Sequence, residues 1–114
     1  MKSVTIYDNK LEQELSISIG ENAQDNWDII DKSKQNDLWF HVENQPSSHV
    51  ILSLPDSKSK CTGQTIIHCA KLCKQHSKFK NIPKIGIIYT EIKSISKGDK
   101  VGQVNTKKVS RIVV

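Results

Sequence analysis

The sequence predicts an α+β domain: a mostly antiparallel β-sheet with one main helix packed on a face and a short N-terminal helix. Three observations lead there. Apolar residues alternate with polar ones in several short segments separated by turn chemistry. One longer stretch, Thr62 to Lys78, carries a helical apolar stripe. The 114 residues hold no repeat, linker or low-complexity tract, so residues 1–114 are expected to form a single domain.

The elements follow in order. Ser3–Tyr7 reads as a strand, and Asp8, Asn9 and Lys10 as a turn, because Asp and Asn tolerate left-handed backbone angles. Leu15, Ile17 and Ile19 alternate with Ser16 and Ser18, so this second strand makes a hairpin with the first and ends at Gly20. Asn22 can cap a short helix to about Lys32 by accepting from a free first-turn amide. Within it Trp27 and Ile30 share a face, with Ile29 beside them.

Asp37–Val42 (DLWFHV) reads as the central strand. Successive side chains point to opposite faces, so Leu38, Phe40 and Val42 line the core, opposite Asp37, Trp39 and His41. A carboxylate, an indole and an imidazole in a row exceed what folding alone needs. Asn44–Ser47 interrupt the pattern, and His49–Leu54 returns as a paired strand. Symmetrical pairing would set His49 near His41. Pro55–Lys60 reads as a loop. Thr62 or Thr65 opens the main helix, with Ile66, Cys69, Ala70 and Cys73 inward and Lys71, Lys74 and Lys78 outward. Pro83 stops any continuation. Ile85–Thr90, almost wholly apolar, reads as a strand buried on both faces. Ile92–Ser96 is expected as a further strand, Lys97–Asp99 as a loop, and Val109–Val114 as the last strand.

Composition narrows the function. At 36% hydrophobic and 25% charged the chain is ordinary for a soluble protein, and no apolar run reaches the ~20 residues of a membrane span. It has no apolar signal core, and three cysteines suggest no disulfide framework, so a cytoplasmic location is expected. Net charge is +5, unevenly spread. Residues 1–57 hold 4 Lys+Arg against 10 Asp+Glu, net −6, whereas residues 58–114 hold 13 against 2, net +11. Such asymmetry fits an anionic partner such as nucleic acid, and equally a solvated lysine-rich exterior.

The landmarks DLWFHV, SSHV (Ser47–Val50), HCAKLCKQHSK (His68–Lys78) and IIYTEIKSISKGDKVGQV (Ile87–Val104) resemble the NFACT RNA-binding domain in order and spacing. That domain forms the C-terminal part of ribosome quality-control factors that bind tRNA on stalled large subunits. It is also the core of small stand-alone coiled-coil proteins, to which this chain looks closer. The similarity covers about Ile19 to the C-terminus. Asp37, Trp39, His41, Ser48 and His49 match the motif, Lys93 and Lys97 fall where the family keeps basic residues, and Gly102 matches its late glycine. The chain departs from the family at Glu21, where a basic residue is common, and in lacking the coiled-coil tail.

The resemblance implies non-catalytic binding of RNA, plausibly tRNA or ribosomal RNA, in translation or ribosome quality control. Lys71, Lys74, Lys78, Lys93, Lys97 and Lys100 would hold phosphates. His41, His49 and Trp39 would supply local contacts, with Asp37, Ser48 and Gly102 as structural motif residues. Trp39 could stack a base or belong to the core, and Asp37 could fix a histidine tautomer. RNA and DNA are both open. The alternative function is a protein-interaction module docking on a ribosomal or cytoskeletal partner through the acidic half. An Asp–His–Ser hydrolytic site is disfavoured, because Ser48 has no nucleophile elbow or oxyanion hole near it. A metal site at Cys69, Cys73 and His76 is disfavoured for want of a second ligand pair. No cofactor is expected.

Overall fold

Among the residues described by the computed structural model, 1–56 and 58–114, eight strands and two α-helices form. Strands β1 (Lys2–Asp8) and β2 (Gln13–Ile19) make a hairpin, with Lys2 opposite Ile19 and Asp8 opposite Gln13. Helix α1 (Ala23–Lys32) follows, capped by the Asn22 side chain, which accepts from the Asp25 amide. Then come β3 (Leu38–Val42), β4 (Val50–Leu52), α2 (Gly63–Gln75) and β5 (Gly86–Glu91). The chain closes with β6 (Ile95–Lys97), β7 (Val104–Thr106) and β8 (Ser110–Val113). Six strands pair in the order β1-β2-β4-β3-β5-β8, every pair antiparallel, while β6 and β7 form a separate ribbon. The domain is therefore α+β with an antiparallel sheet and two helices.

Strand alternation divides the core into two layers. Ile17, Phe40, Val42, Val50, Leu52 and Ile87 pack against Cys69, Ala70 and Cys73 of α2. On the opposite face Trp39 and Ile51 pack with Ile29 of α1 and with Ile92, and Ile88, Ile95 and Val104 lie against that cluster. The sheet thus separates α2 from α1 and the β6–β7 ribbon.

Each helix start is tied to distant chain. The Thr62 side chain caps α2 by accepting from the Thr65 amide. Asp8, 1% exposed, accepts from Thr62 N at 2.9 Å and from Thr65 Oγ1 at 2.7 Å, as well as from the amides of Lys10 and Leu11. Burial by itself would raise the Asp8 carboxyl, but these hydrogen bonds outweigh it and hold the group at about 2. The Asp8 turn therefore organises a helix more than fifty residues away. At α1, the Asn26 side chain accepts from the His49 amide at 3.1 Å. Gly20 makes that approach possible, since a Cβ there would sit 2.0 Å from Asn26 Oδ1.

Four expectations are corrected. Ile92–Ser94 is a 3-10 turn rather than part of a strand, because Ile92 N donates to Asp37 O and Lys93 N to Gln35 O. Only Ile95–Lys97 is extended, paired with β7, a strand the sequence pattern did not reveal. Helix α2 ends at Gln75, before Lys78, where the Ser77 hydroxyl and amide both bond the Lys74 carbonyl. β5 is buried through Ile87 on the α2 side only, its Ile88 being half-buried on the other. Ser57, within the expected Pro55–Lys60 loop, lies outside the described residues.

Candidate functional site

The face away from α2 is not filled. A cleft of about 780 Å³ opens there, within the roughly 300–1,000 Å³ usual for ligand sites. Its floor is Trp39 and His41 of β3, His49 just before β4, and Ile88 of β5. One wall is the α1 entry at 21–23 with Asn26, a second is the loop 44–48, and the third is the ribbon segment 101–104 with Thr106. Three remote parts of the chain therefore meet over the DLWFHV strand.

Register creates the floor. Leu38 pairs with Leu52, Trp39 with Ile51 and Phe40 with Val50, so continuing the ladder sets His41 opposite His49. The two imidazole centroids lie 5.1 Å apart at 76°. His41 stacks on Trp39 at 5.4 Å and 11°, and His49 meets the same indole edge-on at 5.3 Å. Trp39 is only 2% exposed, so it belongs to the core and supports His41. The stacking platform considered for Trp39 is not presented to solvent.

Protonation follows from the packing. His41 Nδ1 lies 2.6 Å from the Val42 carbonyl, which can only accept, so Nδ1 carries the proton. Burial lowers the His41 pKa against the pull of that hydrogen bond. His49 is pushed down to about 3, first by burial and then by the neighbouring His41. Both rings are neutral at pH 7. Trp39 Nε1 and His49 Nδ1 are buried without a hydrogen-bond partner among the described residues.

The motif carboxylate has a different part. Asp37 accepts from Leu54 N at 3.0 Å and Lys34 N at 2.8 Å, with Lys34 Nζ at 3.4 Å. It shapes the entry to β3, and the Val42 carbonyl, not Asp37, sets the His41 tautomer. The Ser48 hydroxyl donates to the His76 carbonyl at 3.2 Å, joining the cleft loop to the end of α2. Asp37, His41 and Ser48 form no hydrogen-bonded relay among the described residues. Cys69 and Cys73 are buried under the sheet, and burial pushes the Cys73 thiol up to about 12. Among the described residues no group of three His, Cys, Asp or Glu is placed to hold a metal ion.

The ribbon is clamped to α1. Trp27 Nε1 donates to Gln103 O at 3.0 Å, and Lys97 Nζ sits 2.6 Å from Asp31 and 5.2 Å from the Trp27 ring centre. Gly102 has φ +87°, and a Cβ on it would lie 2.9 Å from the Ala23 Cβ. This glycine lets the ribbon lie directly on α1.

The expected basic residues do not converge. Lys71, Lys74 and Lys78 lie on or just beyond α2, across the sheet from the cleft, and Lys74 Nζ bonds the Val114 carbonyl. Lys93 pairs with Glu91 at 3.6 Å, and Lys97 belongs to the clamp. Lys100 alone of the six directly neighbours a wall residue in sequence, Val101, and it is exposed. Lys107 and Lys108, exposed directly after the wall residue Thr106, were not singled out in the sequence. Their only signal was membership of the basic half.

The family described as NFACT protein RNA binding domain matches residues 4–108. The chain belongs to this family. Rqc2 homolog RqcH of Bacillus subtilis (strain 168) is 32% identical over 86 residues, 73% of this chain and 14% of that protein. Coiled-coil domain-containing protein 25 of Danio rerio is 31% identical over 88 residues, 72% of this chain and 41% of that protein. The chain thus spans less than half the length of these relatives. The solved C-terminal part of the fibronectin/fibrinogen-binding protein from Streptococcus suis superposes with a TM-score of 0.82, over 100% of this chain and 45% of that one. At 23% identity that likeness establishes the shared fold. The NFACT domain match spans both the cleft floor and its ribbon wall. Among the described residues no helix is long and apolar enough to cross a membrane.

Proposed function

We propose that this chain is a non-catalytic RNA-binding module that receives an unpaired nucleotide in the cleft and holds flanking phosphates with the ribbon lysines. The observation that carries the reading is the cleft itself. A family RNA-binding domain leaves one sheet face open over a floor that carries the His41 imidazole, and exposed Lys100, Lys107 and Lys108 adjoin its wall residues in sequence. Sequence-specific RNA recognition usually targets single-stranded loops whose bases can be splayed into such sites. The module's targets in this reading are tRNA or ribosomal RNA in the cytoplasm, and ribosome quality control is the setting the family resemblance supports.

The test is filter binding of a short single-stranded RNA over a salt series. Three phosphate contacts give a slope of about −2 in log affinity against log salt. No affinity at low salt overturns the reading.

A further inference from the structure

The polar atom that the cleft floor leaves open to a ligand is an acceptor, because Trp39 Nε1–H and His49 Nδ1 are sealed from solvent. His41 Nδ1–H is engaged by the Val42 carbonyl, so the neutral ring presents the Nε2 lone pair at its other edge. Nε2 has no protein partner and is not sealed from solvent among the described residues. Stacking on the buried Trp39 fixes the ring, so this acceptor is held in place before any ligand arrives. The charged side chain on the cleft wall is Glu21, no Lys or Arg lines the cleft among the described residues, and the Asn, Gln, Ser and Thr side chains of the walls can donate or accept.

A phosphate group offers only acceptors and negative charge, and at His41 Nε2 it would face a lone pair with no Lys or Arg in the cleft lining to offset it among the described residues. A planar, uncharged group that donates N–H bonds fits instead. Among nucleic-acid groups this describes a base edge with an exocyclic amine. The two buried polar atoms without partners, Trp39 Nε1 and His49 Nδ1, belong to the residues packed around His41. A layer kept polar at a cost to folding suits a recognition floor better than a packing layer.

Resting on the RNA-binding reading, we infer that the cleft selects an unpaired base bearing an exocyclic amino group, and that His41 Nε2 accepts a hydrogen bond from that amine. Phosphates stay outside, with the ribbon lysines. His41 is then the specificity-determining residue.

The test uses oligouridylate nonamers with one central substitution, adenosine or purine riboside, which lacks the 6-amino group. Fluorescence anisotropy should show the purine riboside oligomer binding the wild-type chain about tenfold more weakly. His41→Phe keeps the flat ring but not the acceptor, and should bind both oligomers alike. In a nitrogen NMR spectrum, the His41 Nε2 resonance should move with the adenosine oligomer and stay put with purine riboside. Should His41→Phe fold poorly, the wild-type comparison stands by itself. Equal, salt-sensitive binding of both oligomers by the wild-type chain overturns the base-selection inference and leaves RNA binding intact. Absence of binding to either at low salt overturns both.

Discussion

The two faces of the sheet are built from the same strands and put to opposite uses. Toward α2, Phe40, Val42, Val50 and Leu52 are fully buried beneath Cys69, Ala70 and Cys73. Toward α1 the neighbouring positions hold Trp39, His41 and His49 under a cleft. The first face closes with apolar side chains and a hydrogen-bonded cap at Asp8. The second retains neutral imidazoles and two unpartnered polar atoms. One face stabilises the fold, and the other presents chemistry on a floor the first holds rigid.

The sharpest way to break this division is Phe40→Ala. Removing a fully buried ring on the α2 side should cost about 3–5 kcal/mol in a denaturant titration. RNA affinity per folded molecule should stay within twofold. A large change in affinity at constant folded fraction would mean that the two faces are not independent.

Gly102→Ala comes next. It adds a Cβ against Ala23 at a positive φ, so destabilisation of more than about 1 kcal/mol is expected. Because the ribbon forms a cleft wall, RNA affinity should also fall, unlike the outcome at Phe40. Calorimetric melting alongside anisotropy separates the two effects.

Acid should expose the cleft face before the α2 face. His41 and His49 have folded-state pKa values below the unfolded value of about 6.5, so the unfolded chain takes up protons first. Their neutral forms hold full stability above that pH. Stability should decline as pH drops below about 6.5, in the case of His49 down to about 3, by at most about 1.4 kcal/mol per pH unit per histidine. Asp8 behaves as a depressed carboxylate: its contribution is complete above about 4 and is lost as pH falls through about 2. His49→Gln should flatten the upper part of this profile and leave the lower part unchanged, as read by melting temperature against pH.

Much of this contrast was legible in the sequence. The DLWFHV alternation separates Phe40 from Trp39 and His41, and the symmetrical return of SHV places His49 opposite His41. The helix stripe and its Thr62 cap follow from local spacing. What escaped depends on long-range contacts. Ile92 and Lys93 look extended until the carbonyls of Asp37 and Gln35 capture their amides. Asp37 looks aligned with the histidines, but it stands just before the ladder, where the amides of Lys34 and Leu54 claim it. The cleft was not legible because its walls, from Glu21 to Thr106, lie far apart in the chain. The lysines formed a compositional signal that folding distributes over both faces.

The smallest effects on stability concern those lysines. Lys71→Glu and Lys78→Glu, exposed on the α2 side, should each change stability by less than about 0.5 kcal/mol and leave RNA affinity unaltered. Lys100→Glu, Lys107→Glu and Lys108→Glu should be equally mild for folding. Combined, they should weaken RNA binding and flatten its salt dependence. Lys97→Glu is a poor test of phosphate binding, because it also breaks the clamp to Asp31 and Trp27.

Amide chemical-shift mapping with an adenosine-containing single-stranded RNA addresses the division of labour most directly. Perturbed amides should cluster at 21–26, 39–49 and 100–108, around the cleft and its ribbon. Perturbations concentrated along α2, from Gln64 to Lys78, would contradict it and move the binding surface to the opposite face of the sheet.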